Sequence, residues 1–203
     1  MSDTTLSIRD RILDAAFNAF MRLGYSGAST SQIARLARVS KRDLYAHFGS
    51  KQAMLAGCVA ARAERMRRPL TLPLPTDRDS LHQILVEFGA TVIREVSRPE
   101  VLATYRLAIL EAENAPDVAR TLDRQGRAAN TEALIDLLTL ALGNGLLNGE
   151  PVAMAELLLG VVMSGGLLVR MLMRLAEAPS EAEARRRAET AANCLLRIHG
   201  VSG

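Results

Sequence analysis

Lys41 and Arg42 follow directly on Ser40, and Asp43 completes an S-x-x-D spacing. In that pattern the serine hydroxyl accepts the amide three residues on, and the acidic side chain reaches back to the serine amide. A helix is therefore predicted over 41–48, with two cations in its first turn. The helix dipole favours anions at that end, so these cations lack a natural partner within the helix. A phosphate group or the acceptor edge of guanine would supply one. The chain contains only two lysines, Lys41 and Lys51, and they flank this helix. A solvated helix face with unrelated charges is the plainer reading of the same residues.

The neighbouring elements are arranged to present that helix. Ser29 and Gln32 form a second capping pattern, S-x-x-Q, and Ile33, Leu36 and Ala37 follow at the spacing of an inward helical face. Leu44 and Phe48 make the inward stripe of helix 41–48, which leaves Lys41, Arg42, Tyr45 and His47 on its other faces. Ser50 caps a third helix with Lys51 in its first turn. Two capped helices separated by a few residues describe a helix-turn-helix, whose second helix enters the DNA major groove.

The segment GYSGASTSQIARLARVSKRDLYAHFGSKQAML resembles the DNA-binding domain of TetR-family transcriptional repressors. The resemblance rests on Gly24, Tyr25, Ile33, Ala34, Val39, Ser40, Leu44, Tyr45, Phe48, Ser50 and Lys51, aligned without a gap. It implies an all-α fold: an N-terminal three-helix helix-turn-helix domain, a larger C-terminal helical bundle, and a dimer through the last two long helices. It also implies roles for individual residues. Ser29 and Thr30 match a phosphate-contacting pair, and Ser31 falls where some members carry a DNA-reaching arginine. Lys41 and Arg42 match the base-reading start of the recognition helix. Tyr45 and His47 match backbone contacts, and Lys51 a phosphate-binding lysine. Two positions depart from the pattern. Arg38 replaces the usual turn glycine, at a cost of roughly 1 kcal/mol if the residue is left-handed. Asp43 replaces a small residue and either caps its helix or accepts a hydrogen bond from cytosine N4; the spacing favours the cap.

Composition agrees with a folded, soluble regulator. Apolar residues make up 49% of the 203, which excludes a disordered chain. Net charge is +3, unevenly placed: residues 1–51 carry eight Lys/Arg against four Asp/Glu, whereas the remainder is close to neutral. A basic N-terminal portion fits a phosphate-facing surface. The apolar run from Leu157 to Val169 is interrupted by Ser164 and three glycines and is too short for a membrane span. No secretory signal pattern opens the chain. Cys58 and Cys194 lack paired spacing and read as reduced thiols. From these features a cytoplasmic protein without a membrane partner is expected.

Residues 1–51 are predicted to form the DNA-binding domain after a loose stretch at 1–6, and helix 51–68 to link it to a ligand-binding and dimerisation domain over 77–203. Ser7 and Asp10 open the first helix, with Ile8, Ile12, Ala16 and Phe20 inward and Gly24 as its terminator. Arg9 and Arg11 read as backbone-reaching or simply solvated. Three prolines within 69–76 forbid a continuous helix there. Beyond them, helices are predicted from Asp77 or Ser80 to about Ser97, after Pro99, from about Asp117 to Leu142, over 152–175, and from Ser180 onward. The last two are read as dimer-forming, the final one through a seam of Ala188, Ala191, Ala192, Leu195 and Ile198. An internal core within one subunit is the other reading.

No catalytic constellation, metal set or cofactor motif stands out. His47, His82 and His199 are scattered. Glu111 and Glu113 lie two apart and so face different directions, and Glu111 reads as a surface residue. The methionines and apolar stripes of the larger domain suggest an adaptable cavity for a lipophilic effector, for which Phe88, Tyr105, Ile109 and Leu138 are the candidate lining residues. The sequence thus points to a dimeric regulator that binds a palindromic double-stranded DNA operator and is released by a ligand. The alternative is a helical small-molecule binding protein, or enzyme, whose DNA-binding head is silent.

Overall fold

The computed structural model describes residues 7–71 and 74–201. The stretch 1–6 and part of the proline-rich segment lie outside the described residues. Among those described, helices account for nearly all regular structure, with one isolated antiparallel bridge between Leu147 and Gly200. The chain forms two compact units. Met1–Arg62 and Ala103–Gly126 make up the first, and Ala63–Leu102 with Arg127–Gly203 the second.

The first unit contains α1 (Ile8–Gly27), α2 (Thr30–Ala37), α3 (Lys41–Phe48) and the start of α4 (Lys51–Arg67). The capping hydroxyl of Ser7 accepts the Asp10 amide and starts α1. Gly24 breaks α1 with φ 74°, as expected of a glycine terminator, and a further helical turn runs on to Gly27. Ile12, Phe20, Ile33, Leu44, Met54 and Leu55 meet in a core that is essentially closed to solvent. Burying each such side chain is worth about 1.5–3 kcal/mol against leaving it in water. Leu36 does not join them: it is 51% exposed, because a helix of only eight residues offers the core one narrow stripe, filled by Ile33 and Ala37. Ile8 at the start of α1 is likewise exposed.

Residues 103–126 complete this core. They comprise most of α6 (Pro99–Leu110) and α7 (Pro116–Leu122), and they insert Leu107, Ala108, Val118 and Leu122. Ile109 and Leu110, the next two positions on α6, are exposed.

The second unit is built on α5 (Arg78–Val96), α8 (Ala129–Gly143), α9 (Pro151–Val162), α10 (Leu167–Leu172) and α11 (Glu181–His199). Asp77 and Ser80 cap α5 reciprocally, so both sequence-derived start positions take part. Phe88, Leu85, Leu134, Leu138, Met154 and Leu195 lie in its core. At Gly89 an added Cβ would come within 3.0 Å of the Ala188 Cβ and 3.1 Å of the Val162 Cγ2. The missing side chain is what lets α5, α9 and α11 converge there.

Three expected elements differ. The helix predicted over 117–142 is divided by a π-helical segment at Asp123–Ala128, with the weak helix former Gly126 inside it. The helix predicted over 152–175 stops at Val162, because Gly165 and Gly166 both take positive φ (71° and 66°) before α10 begins. The apolar seam of α11 is also used differently: Ala188, Ala191, Ala192 and Leu195 are buried within the subunit's own core, and only Ile198 is exposed. No helix among the described residues is long and apolar enough to cross a membrane.

Candidate nucleic-acid interface

Both capping boxes form. Ser29 Oγ accepts the Gln32 amide, and the Gln32 side chain accepts the Ser29 amide at 2.9 Å. Ser40 Oγ accepts the Asp43 amide at 3.0 Å and donates to the Asp43 carboxylate at 2.7 Å. Asp43 is thus a cap. The hydrogen bonds from the Ser40 hydroxyl and amide hold its carboxyl below the usual carboxylate range.

The turn between α2 and α3 pivots on Arg38, in the left-handed region at φ 55°, ψ 47°. Its amide donates to the Arg35 carbonyl, and the Val39 amide donates to the Ala34 carbonyl. This is the Schellman arrangement that normally employs glycine. Both departures from the family pattern therefore fit the helix-turn-helix geometry.

With Leu44 fully buried and Phe48 half-buried, α3 turns its remaining surface outward. Lys41, Arg42, Tyr45 and His47 are all exposed, as are Ser29 and Ser31; Thr30 is half-buried. Thr30 Oγ1 lies 3.2 Å from Tyr45 Oη, which joins the two helices on their outer side. Six of the eight expected contact residues are thus solvent-facing and Thr30 is partly so.

Lys51 is the exception. Its ammonium donates to the carbonyls of Tyr25 at 2.8 Å and Ala28 at 3.2 Å, and it lies 4.5 Å from the centroid of the Tyr25 ring. Two of its three donors are committed to the chain's own α1–α2 corner. The same corner is held from another side by Glu111, whose carboxylate accepts the Ser26 amide at 3.2 Å and the Ser26 hydroxyl at 2.8 Å. Those bonds depress the Glu111 carboxyl, with Lys51 adding to the effect. Burial raises the Tyr25 phenol, helped by Asp117. Sequence reasoning misses the Ser26–Glu111 pair, and no local signal marks it, since the partners are 85 residues apart.

Of the other expected site residues, Phe88 and Leu138 lie in the core of the second unit. Tyr105 packs against the core of the first, so the four candidates do not share one unit. Ile109 is 63% exposed and forms no part of a buried wall; Leu107 and Ala108 take the inward positions instead. Among the described residues no cluster of His, Cys, Asp or Glu has the arrangement of a metal site. Cys58 donates to the Leu13 carbonyl at 3.3 Å, and burial pushes its thiol up to about 12. Such a thiol is inert at neutral pH. Cys194 is also a free thiol.

A helix-turn-helix whose second helix is outward and cationic at its tip, set in a helical chain, defines a class of DNA-binding regulator. Residues 12–58 match the family of bacterial regulatory proteins named tetR, and residues 83–201 match the AefR-like transcriptional repressor C-terminal domain. The chain belongs to the TetR family of transcriptional regulators. It is 37% identical over 70 residues to the HTH-type transcriptional regulator SrpR of Pseudomonas putida, covering 34% of this chain and 33% of that protein. Over 102 residues it is 28% identical to the HTH-type transcriptional repressor NicS of Pseudomonas putida, 49% of this chain and 48% of that one. The chain thus spans a third to about half of the length of these curated relatives. Its fold is similar to that of a TetR transcriptional regulator from Agrobacterium tumefaciens, with TM-score 0.76, 25% identity and 97% of each chain covered. The flavonoid-responsive regulator FrrA is alike to a similar degree, with TM-score 0.75, 26% identity, and 97% of this chain and 98% of that chain covered.

Proposed function

We propose that this chain is a homodimeric, ligand-released repressor that binds a palindromic DNA operator. The observation that carries the reading is α3 itself: a capped helix anchored by Leu44, with Lys41, Arg42, Tyr45 and His47 all turned to solvent. Lys41 and Arg42 stand at its N-terminal end, where side chains of a recognition helix meet base edges. Ser29, Thr30 and Tyr45 supply hydroxyls to the flanking phosphates, Ser31 and His47 add outer contacts, and Lys51 acts through the α1–α2 corner. Two such helices, about 34–36 Å apart in a dimer, occupy successive major grooves.

A second copy of the chain pairs through the outward faces of α9 and α11. A surface groove there is lined by Val161, Ser164, Thr190 and Asn193, among others. The effector is an apolar small molecule taken up in the second unit near Phe88 and Leu138, where Met66 and Met154 give the core adaptable packing. FrrA responds to flavonoids, which makes aromatic ligands of that size a sensible first panel. Release requires that the effector bind the DNA-free state more tightly than the operator-bound one.

Selection of bound duplexes from a random pool, followed by titration of wild type and the K41A/R42A variant, tests the reading. Each substitution is expected to cost about 1–3 kcal/mol of operator affinity, and removing one phosphate-binding side chain lowers the salt slope by about 1. Unaltered binding by the double variant would assign DNA recognition elsewhere.

A further inference from the structure

The α1–α2 corner, residues 24–28, directly precedes the Ser29–Thr30 start of α2, and two charged side chains hold it. Lys51 holds the carbonyls of Tyr25 and Ala28. Glu111 holds the amide and hydroxyl of Ser26. Gly24 makes room for the second contact: it takes φ 74°, and a Cβ there would sit 3.2 Å from Glu111 Oε1. Glu111 follows α6 immediately, so the corner is fastened by a segment far from it in sequence but within the same compact unit.

We infer that Glu111 is a positioning residue for DNA binding: by fixing Ser26 through two hydrogen bonds it sets the direction in which Ser29 and Thr30 meet the phosphate backbone. This inference rests on the proposed DNA-binding function. Phosphate contacts determine the register of a protein on the duplex, so a shift in the corner that delivers them is felt as weaker affinity. The bond is solvent-accessible and adds little to folding. Its effect on binding is opposite in sign to that of its charge. As a bare negative charge near the phosphates Glu111 would weaken binding, and its removal would strengthen it. As a positioning residue its removal weakens binding.

Glutamine separates the two effects, because its amide keeps one acceptor and offers a donor to a hydroxyl that can accept. The full-length variants E111A, E111Q, S26A and S26A/E111A are titrated against the operator selected by wild type, with K41A/R42A as the control. E111A is expected to bind about tenfold more weakly, the scale of one charge-assisted hydrogen bond. E111Q restores binding to within about twofold of wild type, and S26A/E111A is no weaker than E111A, as coupled partners require. Thermal melting confirms folding of each variant. Binding by E111A as tight as wild type, or E111Q as weak as E111A, overturns the assignment. If instead wild type selects no DNA, or K41A/R42A binds unchanged, the functional reading itself fails and takes this inference with it.

Discussion

Thr30 Oγ1 and Tyr45 Oη lie 3.2 Å apart, joining the first turn of α2 to the middle of α3 on the outer side of the helix-turn-helix. Each hydroxyl holds the other in place while leaving capacity for a further bond. One of the two hydroxyl hydrogens is spent in this bond, so on the proposed DNA-binding reading a phosphate oxygen approaching this side meets one oriented donor rather than two free rotors. Replacing Tyr45 by Phe removes one hydroxyl and releases the other. The expected drop in operator affinity is about 1 kcal/mol, roughly fivefold, and the Thr30→Ala/Tyr45→Phe double variant should lose less than the sum of the singles. A fluorescence-anisotropy titration of the four proteins measures both quantities.

Ser40 and Asp43 cap α3, and their bond has a pH signature. The folded-state carboxyl of Asp43 is depressed below its ordinary value, chiefly by the Ser40 hydroxyl. A depressed carboxyl stabilises the folded state above the unfolded pKa, near 3.9 for aspartate, and that contribution disappears as pH falls through the lower folded value. Stability is therefore expected to drop on acidification below about pH 4, and D43N should flatten the dependence in that window without altering it near neutrality. Ser40→Ala removes the other half of the box at a cost of about 1 kcal/mol at neutral pH. Urea unfolding at a series of pH values checks both; an unaltered acid limb in D43N would mean that the cap does not persist in solution.

Arg38 occupies the left-handed region at φ 55°, ψ 47°, where the family pattern has glycine. Substituting glycine relieves a backbone cost of roughly 1–2 kcal/mol while adding some entropy to the unfolded chain. A net gain of about 0.5–1 kcal/mol is expected, seen as a rise in Tm. Operator affinity should stay close to wild type or fall modestly, since only an exposed cation is removed. A lower Tm for R38G would show that the arginine side chain stabilises the turn more than its backbone strains it.

Much of the head is legible in the sequence because its signals are local. Ser29 with Gln32 and Ser40 with Asp43 are complete within three residues, so capping chemistry fixes both helix starts before any tertiary contact forms. Gly24 marks a break for the same reason. Legibility falls where one stripe has to choose among neighbours. Leu36 has the spacing of a core residue but lies outside, and Ile109, a candidate for the inward face, yields that place to Leu107 and Ala108. In the larger unit the apolar period continues through Ser164 and Gly166, so periodicity alone predicts one helix where two consecutive left-handed glycines end it.

By itself the sequence determined an all-helical chain, a capped outward helix with a cationic tip, and membership of the TetR family, since each follows from residue types at short, fixed separations. Only the tertiary structure decided how Lys51 is used, that the alanine seam of α11 belongs to the subunit's own core, and that Glu111 fastens Ser26 from 85 residues away. Such pairings depend on which surfaces meet once the helices pack, and a one-dimensional pattern carries no record of that distance.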